Sequence, residues 1–184
     1  MREICRRGGI FSSIPDMTPA ASELHILPRD PLDPEALFLL REAAVEARRL
    51  YTDLIDPAAP MPTNDPPQPG SIYLIAFLAE NPVGCGALRK IDTITAEVRR
   101  MYVLSSARRA GIGRALLIRL EREADKLGYT LLKLETGNRQ QAALALYESY
   151  GFTRILPFGP YVNNPIIVCY AKKIQPCTIQ NRSV

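Results

Sequence analysis

The stretch RRAGIGRALL, residues 108–117, places two arginines and two glycines directly before an apolar helical pattern. A helix N-terminus leaves several backbone N–H groups without partners, and the helix dipole adds partial positive charge there. Both features favour an anion, and glycine lets a phosphate approach the backbone because no Cβ stands in the way. The stretch therefore indicates phosphate binding, with an ordinary helix start and solvated arginines as the alternative.

Two common phosphate motifs do not fit this stretch. The Walker pattern requires a lysine and then Ser or Thr after the last glycine, whereas Arg114 and Ala115 follow Gly113. The dinucleotide pattern G-x-G-x-x-G requires Gly or Ala where this chain has Leu116, and it follows a strand of a βαβ unit. The preceding strand here is predicted to end an antiparallel meander, so neither class of nucleotide site is expected.

Metal and histidine chemistry have little basis in the sequence. His25 is the single histidine, and it lies in an apparent strand that a turn follows. No cysteine pair has CxxC spacing, so we expect no metal site and no catalyst based on a Cys-His or Ser-His-Asp arrangement. The cysteines are Cys5, Cys85, Cys169 and Cys177. Unpaired thiols, without an apolar run of signal-peptide or membrane-spanning length, predict a cytoplasmic protein with no membrane partner.

The charge distribution points to an anionic ligand rather than to nucleic acid. The net charge is only +4, and no surface of interleaved aromatic and basic residues is visible. Seven arginines nevertheless fall within residues 99–122: Arg99, Arg100, Arg108, Arg109, Arg114, Arg119 and Arg122. The alternative is a solvated face that Glu121, Glu123 and Asp125 partly neutralise.

The elements around this window alternate between helix and strand. We expect strands at 23–27, 71–80, 83–91, 96–104, 129–137, 152–156 and 166–174, and helices at 34–50, about 112–127 and 138–151. This order predicts a single α/β domain (an α+β sandwich), with a mixed, mostly antiparallel sheet of about seven strands flanked by helices. The domain is expected at 22–174, between a flexible N-terminal tail at 1–21 and a C-terminal tail at 175–184.

Three local expectations follow from the periodicity. In the first helix, Asp33 is placed to cap and Pro34 to start the helix, and the buried stripe is expected at Leu37, Leu40, Ala44, Ala47 and Tyr51. In the strand 96–104, we expect one shared face for Glu97, Arg99, Met101 and Val103. Residues 56–70 contain six prolines and predict an extended loop, either on the substrate side or as a mobile excursion.

Two segments together resemble a known family. The pattern R-x-x-G-x-G after EVRRMYVL resembles the acetyl-coenzyme-A motif of the GNAT superfamily of N-acetyltransferases, and LETGNRQQAALALYESYGF is similar to that superfamily's second cofactor segment. The resemblance covers about residues 23–174. The first motif is weak alone, but its separation from ALYESYGF makes the pair specific.

The resemblance implies a set of residues that bind acetyl-CoA, and no metal. The backbone of Met101, Tyr102 and Val103, beside a splayed strand, would bond the pantetheine arm. The pyrophosphate would lie on the N–H groups of Arg109, Ala110, Gly111, Ile112, Gly113 and Arg114. Arg108 or Arg109 would add charge near the phosphates, Asn138 would help to position the cofactor, and Tyr147 would stand near the thioester sulfur.

The implied reaction is transfer of the acetyl group to a primary amine, by direct attack in a ternary complex. The amine must be neutral, so a base or a water chain is needed, and backbone N–H groups near Val103 would stabilise the oxyanion. Tyr147 would protonate the leaving thiolate, unless it is simply a core tyrosine. Glu97 is the first candidate base, unless it is a surface carboxylate paired with Arg99 or Lys90, and Glu135 is the weaker candidate.

The acceptor is not specified by these motifs. We expect a small-molecule amine, and Asp53, Asp56 and Asp65 either attract a cationic amine or are exposed loop charges. Two other functions remain open, a protein amino-group acetyltransferase and a non-catalytic acyl-CoA-binding or regulatory module on the same fold. A homodimer is also left open.

Overall fold

The computed structural model describes residues 23–56 and 58–174, and both predicted tails, 1–21 and 175–184, lie outside these residues. Seven strands form one sheet in the order β1-β2-β3-β4-β5-β7-β6. All neighbours are antiparallel except β4 and β5, which run parallel. The predicted fold class, a mostly antiparallel sheet with flanking helices, is confirmed.

The element bounds agree closely with the sequence periodicity. The strands are β1 (Leu24–Pro28), β2 (Ile72–Leu78), β3 (Asn81–Lys90), β4 (Thr95–Val103), β5 (Leu131–Gly137), β6 (Thr153–Ile155) and β7 (Ile167–Lys173). The helices are α1 (Pro34–Leu50), α2 (Ile112–Lys126) and α3 (Gln141–Ser149). Within the described residues, no helix has the length and apolarity needed to cross a bilayer.

The sheet is covered on both faces, which explains why its central strands read as apolar runs. One face carries α2 and α3 on a core that includes Leu74, Val98 and Leu116. The other face carries α1, whose Ala36 and Leu39 pack with Tyr73, Ile75, Phe77 and Cys85. We call these the α2 face and the α1 face.

The buried stripe of α1 differs from the predicted one. Ala36, Leu39 and Leu40 are its buried residues, whereas Leu37 is 36% exposed. The pattern was ambiguous because leucines occupy three of four successive positions, and contact with β2 and β3 selects the face. Asp33 is the N-cap residue, but its side chain makes no capping bond and instead accepts the N–H of Asp30 at 3.2 Å.

A β-bulge in β4 makes one predicted face wrong. Cys85 of β3 pairs with Tyr102, but Ala87 pairs with Arg99, so β4 contains one extra residue, and Arg100 adopts φ +57. Ala96 and Val98 point to the α2 face before the bulge, and Met101 and Val103 point there after it. By alternation Glu97 and Arg99 lie on the α1 face, away from Met101 and Val103. Period-two counting cannot see such an inserted residue.

The central feature of the sheet is a split between its two parallel strands. β4 and β5 pair only from Thr95–Leu131 to Val98–Leu134. Beyond that point β4 continues with β3 alone, and β5 continues with β7 alone, as far as Gly137–Ile167. The facing edges of β4 and β5 therefore carry backbone groups with no strand partner among the described residues.

Candidate active site

The loop before α2 forms a concentrated set of free backbone donors. Among the hydrogen bonds of the described residues, none uses the N–H groups from Arg109 to Arg114, and the first bonded amide is that of Ala115, which donates to Gly111 O at 3.0 Å. Arg109 and Gly111 adopt left-handed φ values of +66° and +77°. These turns bring consecutive amides around one point, which suits a polyanion such as a pyrophosphate.

The two glycines of this loop serve different purposes. A Cβ added to Gly111 would meet nothing within 4 Å, so its requirement is conformational. A Cβ on Gly113 would lie 3.2 Å from Leu146 Cδ2, so this glycine lets α2 approach α3 closely. Gly113 therefore has a packing role beside its predicted role of letting a ligand approach the backbone.

The arginines of the motif are not equivalent. Arg108 donates through Nε to Val103 O at 2.9 Å and through Nη2 to Glu46 Oε2 at 2.6 Å, and it lies over the Tyr102 ring. Its side chain thus joins the end of β4 to α1 and is not directed to a phosphate. Arg109 has no such ion pair among the described residues, and Arg114 lies over Tyr150 with its guanidinium carbon 5.5 Å from the ring centroid.

The remaining predicted cofactor residues border the split. Met101 and Tyr102 line a cavity of about 390 Å³ that reaches from α1 to the ends of β4 and β5. Val103 is the last residue of β4, and Asn138 directly follows β5, where its N–H donates to Ile166 O at 2.7 Å. The exposed Asn138 side chain is thus held at the rim of the split.

Tyr147 projects from α3 into this cavity and is only 5% exposed. Its ring packs edge-on against Phe152 at 5.9 Å, and no hydrogen bond between described residues occupies its hydroxyl. Burial, with a smaller contribution from the charge of Glu135, raises the pKa of Tyr147 well above its usual value near 10. A phenol with a raised pKa stays protonated at neutral pH and can act as a proton donor.

Glu135 lines the same cavity from β5, on the opposite face of the sheet from Tyr147. Leu134 points to the α2 face, so alternation places Glu135 on the α1 face, while Tyr147 belongs to the core of the α2 face. Burial raises the pKa of the Glu135 carboxyl, and the neighbouring charge of Glu97 raises it further. A carboxylate whose pKa is raised toward neutrality is a better base.

Glu97 lies outside the cavity lining and is already fully engaged. It is 0% exposed, and one carboxylate oxygen accepts Arg89 Nε at 2.9 Å while the other accepts Tyr161 Oη at 2.9 Å. The sequence predicted Arg99 or Lys90 as its partner; Arg99 Nε does lie 3.9 Å from Oε2, but the closer partner Arg89 was missed. The hairpin register would have found it, because Arg89 and Glu97 are directly opposed in β3 and β4.

The acidic residues expected to attract a cationic amine are engaged to different degrees. Asp53 forms a two-pronged ion pair with Arg139, which lowers the pKa of its carboxyl. Asp65 lies 3.6 Å from Arg99 Nη1, and Asp56 Oδ1 accepts the N–H of Ala58 at 2.8 Å. Asp53 and Asp65 are therefore partly neutralised, whereas Asp56 is an exposed loop charge bonded only to a backbone N–H.

Comparisons with known proteins agree with this geometry. A sequence model of the Acetyltransferase (GNAT) family matches residues 39–152. An Azospirillum brasilense protein named IAA acetyltransferase is 42% identical over 109 residues, which cover 58% of this chain and 71% of the relative. The Bacillus subtilis N-acetyltransferase YsnE is 36% identical over 108 residues, which cover 58% of this chain and 72% of that protein.

Solved structures share the fold. A Klebsiella pneumoniae acyl-CoA N-acyltransferase aligns with a TM-score of 0.68 and 29% identity, over 83% of this chain and 98% of that one. A GNAT acetyltransferase from Elizabethkingia anophelis, solved with acetyl-CoA bound, aligns with a TM-score of 0.59 and 20% identity, over 82% and 97% of the two chains. The split sheet, the free amides before α2 and these matches lead to one conclusion, that the chain belongs to the GNAT acetyltransferase family.

Proposed function

We propose that this protein transfers the acetyl group of acetyl-CoA to the primary amine of a small molecule. The observation that carries the proposal is the split between β4 and β5. Free amides lie at one end of this split, and Tyr147 and Glu135 line its cavity from opposite faces of the sheet. A chain that enters the split can pair with β4 as an added strand, and its phosphates can reach the amides of residues 109–114.

Acetyl-CoA supplies an activated thioester when bound, and the protein's own groups manage charge and protons. Glu135, on the α1 face, takes a proton from the acceptor ammonium, directly or through water, so that the neutral amine attacks. Tyr147, on the α2 face, gives its proton to the departing sulfur, and the proton that the nitrogen loses as the amide forms returns to the phenol, directly or through water. Backbone N–H groups on the free edge of β4 are suited to the negative charge that develops on the carbonyl oxygen.

The assignment of the base therefore shifts from Glu97 to Glu135. Glu97 is sealed by Arg89 and Tyr161, and taking up a proton there would break bonds that hold β3, β4 and the segment before β7 together. Glu135 faces the cavity and lacks an ion-pair partner among the described residues.

The test is thiol release from acetyl-CoA across a panel of primary amines. Mass spectrometry of the products then shows whether the amine has gained one acetyl group. We expect at least one amine class to be turned over, with one acetyl group gained per thiol released. Tight CoA binding with no turnover over a broad panel would contradict the proposal and favour a non-catalytic acyl-CoA-binding module.

A further inference from the structure

A second cavity, of about 460 Å³, lies on the α1 face between strands β2–β4 and the proline-rich loop. It meets the first cavity at Tyr73, Arg99 and Arg100, which line both. It therefore lies beside the cavity that Glu135 lines, on the same face of the sheet.

The wall of this second cavity is unusually rich in guanidinium groups. Four arginines contribute to it: Arg29, Arg89, Arg99 and Arg100. Asp65 is the carboxylate among the lining residues, and the buried Glu97 lies behind the wall, where it pairs with Arg89 and approaches Arg99 at 3.9 Å. The four positive charges thus face two negative ones.

The two arginines at the junction differ in their ion pairs, because Arg99 lies 3.6 Å from Asp65 and 3.9 Å from Glu97. Arg100 donates to the carbonyl oxygen of Thr63 at 3.1 Å, and no carboxylate lies within ion-pair distance among the described residues. Burial lowers the pKa of Arg100, and the adjacent positive charge of Arg99 lowers it further. An anion placed between the two side chains would relieve this repulsion.

The loop that closes the cavity is anchored rather than loose. Asn64 is 6% exposed and donates through Nδ2 to Pro31 O at 2.8 Å, while Arg48 donates to the carbonyl oxygens of Ala59 and Pro60. Two buried polar atoms beside the arginines, Asn64 Oδ1 and Tyr73 Oη, have no hydrogen-bond partner in the described protein. Burial raises the pKa of Tyr73, and the nearby Asn64 side chain lowers it in part, although no hydrogen bond joins these two atoms.

We propose that this cavity binds a carboxylate of the acceptor, so that the enzyme acetylates amino acids or similar amines that carry a carboxylate. The inference rests on the proposed function, since it names the acceptor class of that reaction. The carboxylate lies between Arg99 and Arg100, and the amine points through the junction toward Glu135. The apolar part of the wall, which includes Ala87, Pro66 and Pro67, leaves room for a side chain.

The experiment compares matched acceptors, each an amino acid, its methyl ester and its decarboxylated amine, in steady-state kinetics with saturating acetyl-CoA. We expect kcat/KM to be highest for the free acids. Arg99→Gln should lower kcat/KM for the acids about 10- to 100-fold, the range for a lost charge-assisted hydrogen bond, with little effect on the neutral partners or on the KM for acetyl-CoA. Arg99→Lys should restore part of the loss.

Arg122→Gln is the matched control, because it removes the same charge from the exposed side of α2 and should leave every acceptor unchanged. If Arg99→Gln does not fold, Arg29→Gln tests the same wall from an exposed position. Preference for neutral amines or polyamines, or equal losses on acids and esters, would overturn the inference while the acetyltransferase function stands.

A calorimetric titration separates the remaining case. If no amine is turned over, the proposed function fails, and N-acetylated amino acids are titrated onto protein saturated with CoA. Binding that the methyl esters lack, and that Arg99→Gln abolishes, would support the anionic subsite alone. Absence of any such binding would overturn the inference as well.

Discussion

The roles proposed for Tyr147 and Glu135 depend on where the fold places the two side chains rather than on their sequence context. Each belongs to a pattern that is equally typical of a structural residue, a tyrosine on an amphipathic helix and a glutamate in a strand. The split in the sheet brings both side chains to one cavity, and burial raises the pKa of both. The motif ALYESYGF identified Tyr147, but nothing in the sequence ranked Glu135 above Glu97.

Replacing Tyr147 with phenylalanine should remove the proton donor and keep the packing. We expect kcat to fall about 100-fold, the lower range for general acid catalysis, while the KM for acetyl-CoA stays within about twofold. Steady-state kinetics measures both constants. Tyr150→Phe is the control, because Tyr150 directly follows the same helix but does not line the cavity. A near-normal kcat for Tyr147→Phe would count against the acid role.

The pH profile should reveal the base. A carboxyl group acts as a base only when ionised, so kcat/KM should rise with pH through a pKa that lies above the ordinary glutamate value of 4.5. In Glu135→Gln this acidic limb should disappear, while the limb due to the acceptor amine remains. Kinetics over a range of pH, with an acceptor of known pKa, measures the change.

Glu97→Gln provides the comparison for this experiment. It weakens bonds to Arg89 and Tyr161 in a fully buried site, so we expect the free energy of unfolding to fall by about 1–3 kcal/mol, with the acidic limb retained. The opposite pattern, with the limb lost in Glu97→Gln and kept in Glu135→Gln, would return the base role to Glu97.

The sequence predicted which helices and strands form, and in which order, but it did not predict correctly which face of the sheet the side chains of β4 point to. Helix α1 matches its predicted bounds, 34–50, because Pro34 starts it and the apolar spacing is sustained. The bulge at Arg100 reverses the faces of β4, and only the packing of β3 against β4 reveals it. The second cavity likewise combines residues of β3, of β4 and of the segment between β1 and β2. Strand register brings these residues together, and they are not close along the chain.

The turn before α2 permits a matched test of its left-handed glycine. Gly111 and Gly128 have φ values of +77° and +83°, and an added Cβ would meet nothing within 4 Å at either site. Alanine at each should therefore lower the free energy of unfolding by a similar amount, about 1 kcal/mol. Only Gly111→Ala should also weaken CoA binding, because Gly111 shapes the free amides, whereas Gly128 follows the opposite end of the same helix.

Thermal unfolding and calorimetric titration with CoA measure the two effects of these glycine variants. A shift in melting temperature of about 2–4 °C is expected for each, given the size of the chain. Equal loss of CoA affinity in both variants would mean that the amides respond to general destabilisation of α2 and are not a specific site.

At the scale of the whole molecule, the split divides the sheet into two parts, β1–β4 and β5–β7. Strand pairing joins them only along Thr95–Val98 and Leu131–Leu134. On the α1 face, other contacts cross the split: Tyr161 bonds to Glu97, and the end of α1 bonds to the turn after β5. There the Tyr51 hydroxyl accepts the N–H of Arg139 at 3.0 Å and packs closely against Gly137. These contacts join the two parts of the sheet across the split.

Arg139 is the side chain through which the role of these contacts can be tested. It pairs with Asp53, donates to Leu50 O at 3.1 Å and lies over the Tyr51 ring, so it ties α1 to the rim of the split. Arg139→Ala should loosen the rim, raise the KM for acetyl-CoA several-fold and speed amide hydrogen exchange at the start of α3.

Arg154→Ala is the control, because it removes another exposed arginine–carboxylate pair, with Glu148. Both partners of Arg154, Glu148 and Tyr170, lie on the β5–β7 side of the split. If both variants raise the KM for acetyl-CoA equally, general surface charge and not the bridge across the split explains the effect; if Arg139→Ala alone does so, α1 holds the split at its working width.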